Sequence, residues 1–163
     1  MTEEPILNAH NKTEFPPMHT AEHLLNQTMV RMFGCERSKN AHIERKKSKI
    51  SFTLQTEPTT EQVAQIVEKM NSLIHDDLLV KYEFVEACNA PKEVSLDRLP
   101  DDASETLRLV RIGNYDVCPC IGLHVQSTAE LKEFILLGTN WDEEKHNFRI
   151  RFKLGVKKSS KLF

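Results

Sequence analysis

Glycine is scarce in this chain, with five among 163 residues. Gly34, Gly113, Gly122, Gly138 and Gly155 stand too far apart to write a phosphate-binding loop, a dinucleotide fingerprint or a nucleophile elbow. Nucleotide-driven chemistry and serine-elbow hydrolysis are therefore not expected, nor is a nucleotide cofactor. Cysteine is also sparse: Cys35, Cys88, Cys118 and Cys120 are too few and too irregular for a disulfide scaffold, which points to a reducing compartment and a cytoplasmic location. No apolar run approaches the roughly 20 residues of a membrane helix, so no membrane partner is expected. The start of the chain lacks a charged segment followed by an apolar one, so no secretory route is expected either.

What is present is a globular composition, 39% hydrophobic and 28% charged, in a length that suits one compact domain. The formal net charge of -2 hides a strong segregation. Arg31 to Lys49 carries seven bases against two acids, and Lys145 to Lys161 carries seven bases with no acid. Glu57 to Glu105 reverses the balance, with twelve acids and four bases. A polyanion can thus be held on one side of a nearly neutral molecule; the plainer alternative is that these are solvated surface lysines and arginines.

Residues 1–15 lack periodicity and read as an irregular segment, residues 16–156 as a single domain, and residues 157–163 as a basic tail. Pro16-Pro17 presets a helix beginning near Met18, with Met18, Ala21, Leu25, Met29 and Met32 as its apolar stripe and Gly34 as its cap. Ile50, Phe52 and Leu54 alternate as a half-buried strand that pairs with the stretch around His42 and Ile43. Thr59 to Gln62 fits a capping box for a second helix, whose face is Val63, Ile66, Val67, Met70 and Ile74 and which ends near His75. Val80, Tyr82 and Phe84 predict a strand, and Leu107 to Ile112 another, more fully buried, with a long loop or short helix over 87–104 between them. Phe134 to Leu137 and Phe148 to Leu154 close the chain as two strands joined by 138–147. Two helices and about five mostly antiparallel strands make an α+β domain with the helices on one sheet face.

His19 and His23 lie four residues apart on the first long helix, so their Cβ atoms are about 5–6 Å apart and both rings can reach one ion. The pair sits away from the apolar stripe, on a face shared with Asn26 and Gln27, which argues against core histidines. Cys120 and His124 repeat the spacing. One thiolate with three imidazoles forms the tetrahedral set that Zn²⁺ accepts, and these donors suit zinc better than magnesium or calcium. Cys118 could stand in for Cys120, although a small packing thiol is its plainer reading, as it is for Cys35 and Cys88.

His19-Thr-Ala-Glu-His23-Leu-Leu and Cys120-Ile-Gly-Leu-His124-Val together resemble the paired signatures of the editing domain shared by alanyl- and threonyl-tRNA synthetases, and of its free-standing trans-editing relatives. The resemblance spans about Met18 to Leu154. It implies that His19, His23, Cys120 and His124 hold zinc and that the activity is hydrolysis of the ester joining a wrong amino acid, seryl or glycyl, to its tRNA at the acceptor end. Four protein ligands leave no open position on a zinc ion, so either Cys120 or His124 is loosely held, or the metal orients the amino acid while a separately held water attacks. Glu22, one residue before His23, is the candidate to hold that water or to support a ligand; a solvent-facing acid of the first helical turn is the alternative. One departure stands out. Family members commonly read Cys-Gly-Gly-Thr-His, whereas Ile121 and Leu123 are aliphatic here, which predicts a narrower or drier pocket.

Two rival readings follow from the same residues. His19 to His23 also spells HxxEH, an inverted zinc-peptidase motif with Glu22 as general base, but this leaves Cys120 and His124 unused. Alternatively the zinc is a structural staple in a module that binds RNA without turnover. For the tRNA side, Arg45, Lys46, Lys47 and Lys49 and the alternating Arg149, Arg151 and Lys153 are the candidate phosphate contacts. The oligomeric state is open at this stage.

Overall fold

The computed structural model describes residues 15–86 and 106–155. The expected loop at 87–104 with Cys88, nearly all of the first segment and the basic tail lie outside the described residues. Helix α1 spans Pro16–Phe33, and Gly34 ends it at φ +69°, a left-handed conformation that glycine adopts without the Cβ penalty. Helix α2 spans Thr60–His75 behind the expected capping box: the Thr59 hydroxyl accepts from Gln62 N–H, and the Gln62 side chain accepts from Thr59 N–H.

Seven strands are described: β1 (Asn40–His42), β2 (Ser48–Thr53), β3 (Val80–Glu86), β4 (Thr106–Ile112), β5 (Asp116–Pro119), β6 (Phe134–Asp142) and β7 (Asn147–Leu154). They form two antiparallel sheets, of order β1-β2-β7-β6 and β3-β4-β5. The α+β class is as expected; the division into two sheets is what the sequence did not reveal. Strand β6 also runs on past Gly138 to Asp142, with a register shift between Leu136 and Gly138, so its connection to β7 is only 143–146. Gly138 there leaves room for Arg151, whose guanidinium occupies the place a Cβ would take.

One core joins these parts. Ile50 and Phe52 of β2, Phe148, Ile150 and Phe152 of β7, the apolar faces of both helices, and Val110 and Ile112 of β4 are all buried in it. Helix α1 therefore packs against both layers, touching α2, β7 and β5. Four consecutive residues of α1, His23 to Asn26, are buried. At 3.6 residues per turn they cover the whole circumference of the helix.

Candidate metal centre

The two ligand pairs come together where α1 meets the segment after β5. One donor atom from each of His19, His23, Cys120 and His124 lies within 4.8 Å of all the others. The three imidazole centroids are 4.2 to 5.0 Å apart. A tetrahedral zinc shell places its donors about 3.3–3.8 Å apart, given bonds of about 2.0–2.3 Å, so small side-chain movements close the set.

The rings of His19 and His124 are each held by an atom away from the cluster. The Leu123 carbonyl accepts from His19 Nδ1 at 3.0 Å, which leaves His19 Nε2 facing Cys120 Sγ at 3.3 Å. Thr20 Oγ1 is 2.9 Å from His124 Nδ1 and also accepts from Val125 N–H, so one buried hydroxyl ties α1 to the second ligand loop. His124 Nε2 is buried without a hydrogen-bond partner. An orphaned buried nitrogen among two imidazoles and a thiol fits a cation, and the donor set fits zinc. Arg108 braces the loop from outside, donating to the carbonyls of Cys120 (2.8 Å) and Gly122 while stacking on Tyr82.

His23 differs from the sequence expectation. It is a buried residue with 5% of its surface exposed, because α1 has packing partners on both sides where a single amphipathic stripe implies one. Burial lowers its pKa to about 4, with the Asp116 carboxylate opposing that shift. Burial likewise takes His124 down to about 2, aided by the other two imidazoles and Arg108. Both rings are neutral at pH 7, the form that ligates metal. Cys120 is pushed the other way, to about 11 by burial, so its thiol keeps its proton until something displaces it. Cys118 lies outside the four-residue group.

A groove of about 740 Å³ opens onto His19 and Cys120 and runs along α1 past Glu22, Gln27, Arg31 and Arg37. Glu22 is half-buried in its wall. Ile121 and Leu123 are 50% and 58% exposed and do not line this groove, so the expected narrowing does not occur in it. The candidate tRNA contacts are elsewhere. Lys49 lies directly opposite Arg151 across β2 and β7, and Arg149, Arg151 and Lys153 alternate with the core residues Phe148, Ile150 and Phe152. These cations therefore share the outer face of the sheet, turned away from the helices. Arg45 packs over the Phe15 ring, and Lys46 and Lys47 are exposed. Sequence reasoning missed Thr20, Arg37 and Asp116, whose roles depend on contacts between segments about 80 to 105 residues apart, and Arg108, which reaches across the β4–β5 pair to carbonyls 12 and 14 residues on.

The class defined by fold and site is a two-sheet α+β domain in which three histidines and one cysteine, from an HxxxH helix and a CxxxH loop, converge in a group that could hold a metal ion. Residues 107–151 match the family described as threonyl and alanyl tRNA synthetase second additional domain. The chain is 29% identical to the alanyl-tRNA editing protein AlaX-L of Pyrococcus horikoshii, over 89% of this chain and 35% of that protein. It is 24% identical to a putative alanyl-tRNA editing protein of Saccharomyces cerevisiae, over 97% of this chain and 38% of that one. An alanine–tRNA ligase of Exiguobacterium sibiricum is 26% identical over 78% of this chain and 15% of the ligase. The chain is thus related to alanyl-tRNA editing proteins and to the synthetase domain that resembles them. It spans little more than a third of the length of the two editing proteins. No described helix is long and apolar enough to cross a membrane.

Proposed function

We propose that this chain hydrolyses the ester of mischarged aminoacyl-tRNA in trans, on seryl- or glycyl-tRNA, with Zn²⁺ held by His19, His23, Cys120 and His124. The observation that carries this reading is the convergence of those four donors within 4.8 Å, two of them lining a groove of about 740 Å³. When bound, zinc would act as a Lewis acid toward the ester carbonyl. The residues of the chain do the rest. The groove between α1 and β5 receives the acceptor end and orients the ester toward His19 and Cys120, which converts positioning into rate. Glu22, in the same wall, accepts a hydrogen bond from the attacking water and holds it near the carbonyl.

The test is direct. Purified protein is incubated with seryl-, glycyl- and alanyl-tRNA and loss of the ester is followed; seryl or glycyl ester should disappear while alanyl ester persists. Cys120→Ser and His124→Ala should abolish both zinc content and turnover, whereas Cys118→Ser, His42→Ala, His75→Ala and His146→Ala should leave zinc in place. Stoichiometric zinc in a protein that deacylates none of the three would favour the second reading, a zinc-stapled RNA-binding module. One observation supports that alternative: all four donors come from the protein, the pattern of closed structural sites.

A further inference from the structure

Asp116 opens β5 behind the cluster, and its side chain is 1% exposed. Arg37 holds the carboxylate with two contacts, Nη1 to Oδ1 at 2.8 Å and Nη2 to Oδ2 at 3.4 Å. On the other side, His23 Nδ1 lies 3.7 Å from Oδ2, longer than a hydrogen bond, and is buried with no other polar partner. A buried carboxyl that receives two guanidinium N–H groups is the acceptor-only carboxylate, so the group facing His23 is an anion. An imidazole beside a buried carboxylate places its proton on the nitrogen that faces it.

We propose that Asp116 is the positioning residue of the metal centre: held by Arg37, it keeps the His23 proton on Nδ1 and so turns the Nε2 lone pair to the cluster. The proposal rests on the reading of the cluster as a zinc site, but it makes a claim about the metal-free protein too. The Asp116→Asn variant carries the sharpest consequence. Arginine is donor-only, so the amide oxygen must face Arg37 and the amide NH₂ must face His23. Nδ1 then has to accept, the proton moves to Nε2, and the nitrogen needed for ligation is blocked. Removal of Arg37 as Arg37→Gln leaves the carboxylate in place and with it the Nδ1–H form.

The experiment uses the full chain, ¹⁵N-labelled, in three forms. Long-range ¹H–¹⁵N correlations of the His23 ring in the metal-free state report the tautomer, and competition with a chromophoric chelator reports zinc affinity. Wild type and Arg37→Gln should show Nδ1–H, and Asp116→Asn should show Nε2–H with about 10- to 100-fold weaker zinc binding. A purely structural role for the ion pair predicts equal losses in the two variants and no tautomer change, and that result overturns the proposal. If Asp116→Asn does not fold, the wild type still decides, since Nε2–H there is equally fatal. Failure of wild type to bind zinc would instead remove the metal-site reading, leaving the tautomer result to stand by itself.

Discussion

The charge state of each ligand sets the pH behaviour of the centre. Solvent-exposed histidines with ordinary pKa values would compete with metal through the range near 6.5. With His23 at about 4 and His124 at about 2, those two rings are already proton-free at neutral pH, and the main proton to be displaced is on Cys120, at about 11. Zinc affinity measured by chelator competition should therefore rise about tenfold per pH unit between about pH 7.5 and 9, one proton leaving per ion bound. A profile that levels off above pH 7 would show that the thiol is not the displaced acid. Stability of the metal-free protein also falls as pH drops, through the histidines rather than the thiol. Between the folded and unfolded values of a depressed histidine, the unfolded chain binds more protons, so stability falls as pH drops below about 6.5. Each of the two rings contributes a slope of up to about 1.4 kcal/mol per pH unit, down to about 4 for His23 and lower for His124. Urea melts of chelator-treated protein at pH 7 and pH 5 should differ accordingly, and equal midpoints would contradict the neutral burial of both rings.

At the scale of elements, the helices declare themselves and the second sheet does not. The Thr59 box closes α2 through two exposed hydrogen bonds, far from the ligands. Thr59→Ala should cost about 1 kcal/mol, a fall in melting temperature of about 2–4 °C for a chain of this size, with zinc content unchanged. Loss of zinc in that variant would mean that α2 supports the centre more directly than its packing suggests. Such caps and stripes were legible because they are local: Pro16, Gly34 and the Met18 to Met32 stripe define α1 within one window of sequence. Strand β5 was not, being four residues that contain Cys118 and Pro119 and lack alternation. Strand β3 was legible as a strand but not in its burial, because Tyr82 and Phe84, on the face that continues into the core through Val80, pass beyond its edge and stay exposed. His23 was misjudged for the same kind of reason. Periodicity along α1 reports one packing partner, and the second arrives from residues 110–125. The four residues that converge could be picked out because their spacing is itself local, i to i+4 on each side. Asp116, four residues before Cys120, carries no such signal; only the register Ile112↔Asp116 and the approach of Arg37 give it a role.

Taken as a whole molecule, the charge map poses a geometric question about tRNA. The outer face of the four-stranded sheet carries Lys49, Arg149, Arg151 and Lys153, while the cluster belongs to the helix layer behind that sheet. Several groove cations are already engaged: Arg37 with Asp116, Arg111 with Glu83 and Arg31 with the Tyr115 carbonyl. The sheet face is thus the larger reserve of positive charge free for phosphates, and a ligand that reaches both it and the cluster must pass the edge of the sheet. A full-length tRNA is long enough for that, whereas a short acceptor-stem mimic seated in the groove gains less from it. Each phosphate neutralised contributes about -0.7 to -0.9 to the slope of log affinity against log salt. Replacement of Arg149, Arg151 and Lys153 by alanine should flatten the slope for full-length tRNA by about two to three units and weaken binding for every tRNA sequence. The same variant should keep its zinc, its turnover at saturating substrate and most of its affinity for the short mimic. An unchanged salt slope with the fold intact by circular dichroism would reduce that face to solvated surface and leave the groove as the route by which the acceptor end is held. Equal weakening for both ligands would place these cations nearer the cluster than the sheet geometry allows.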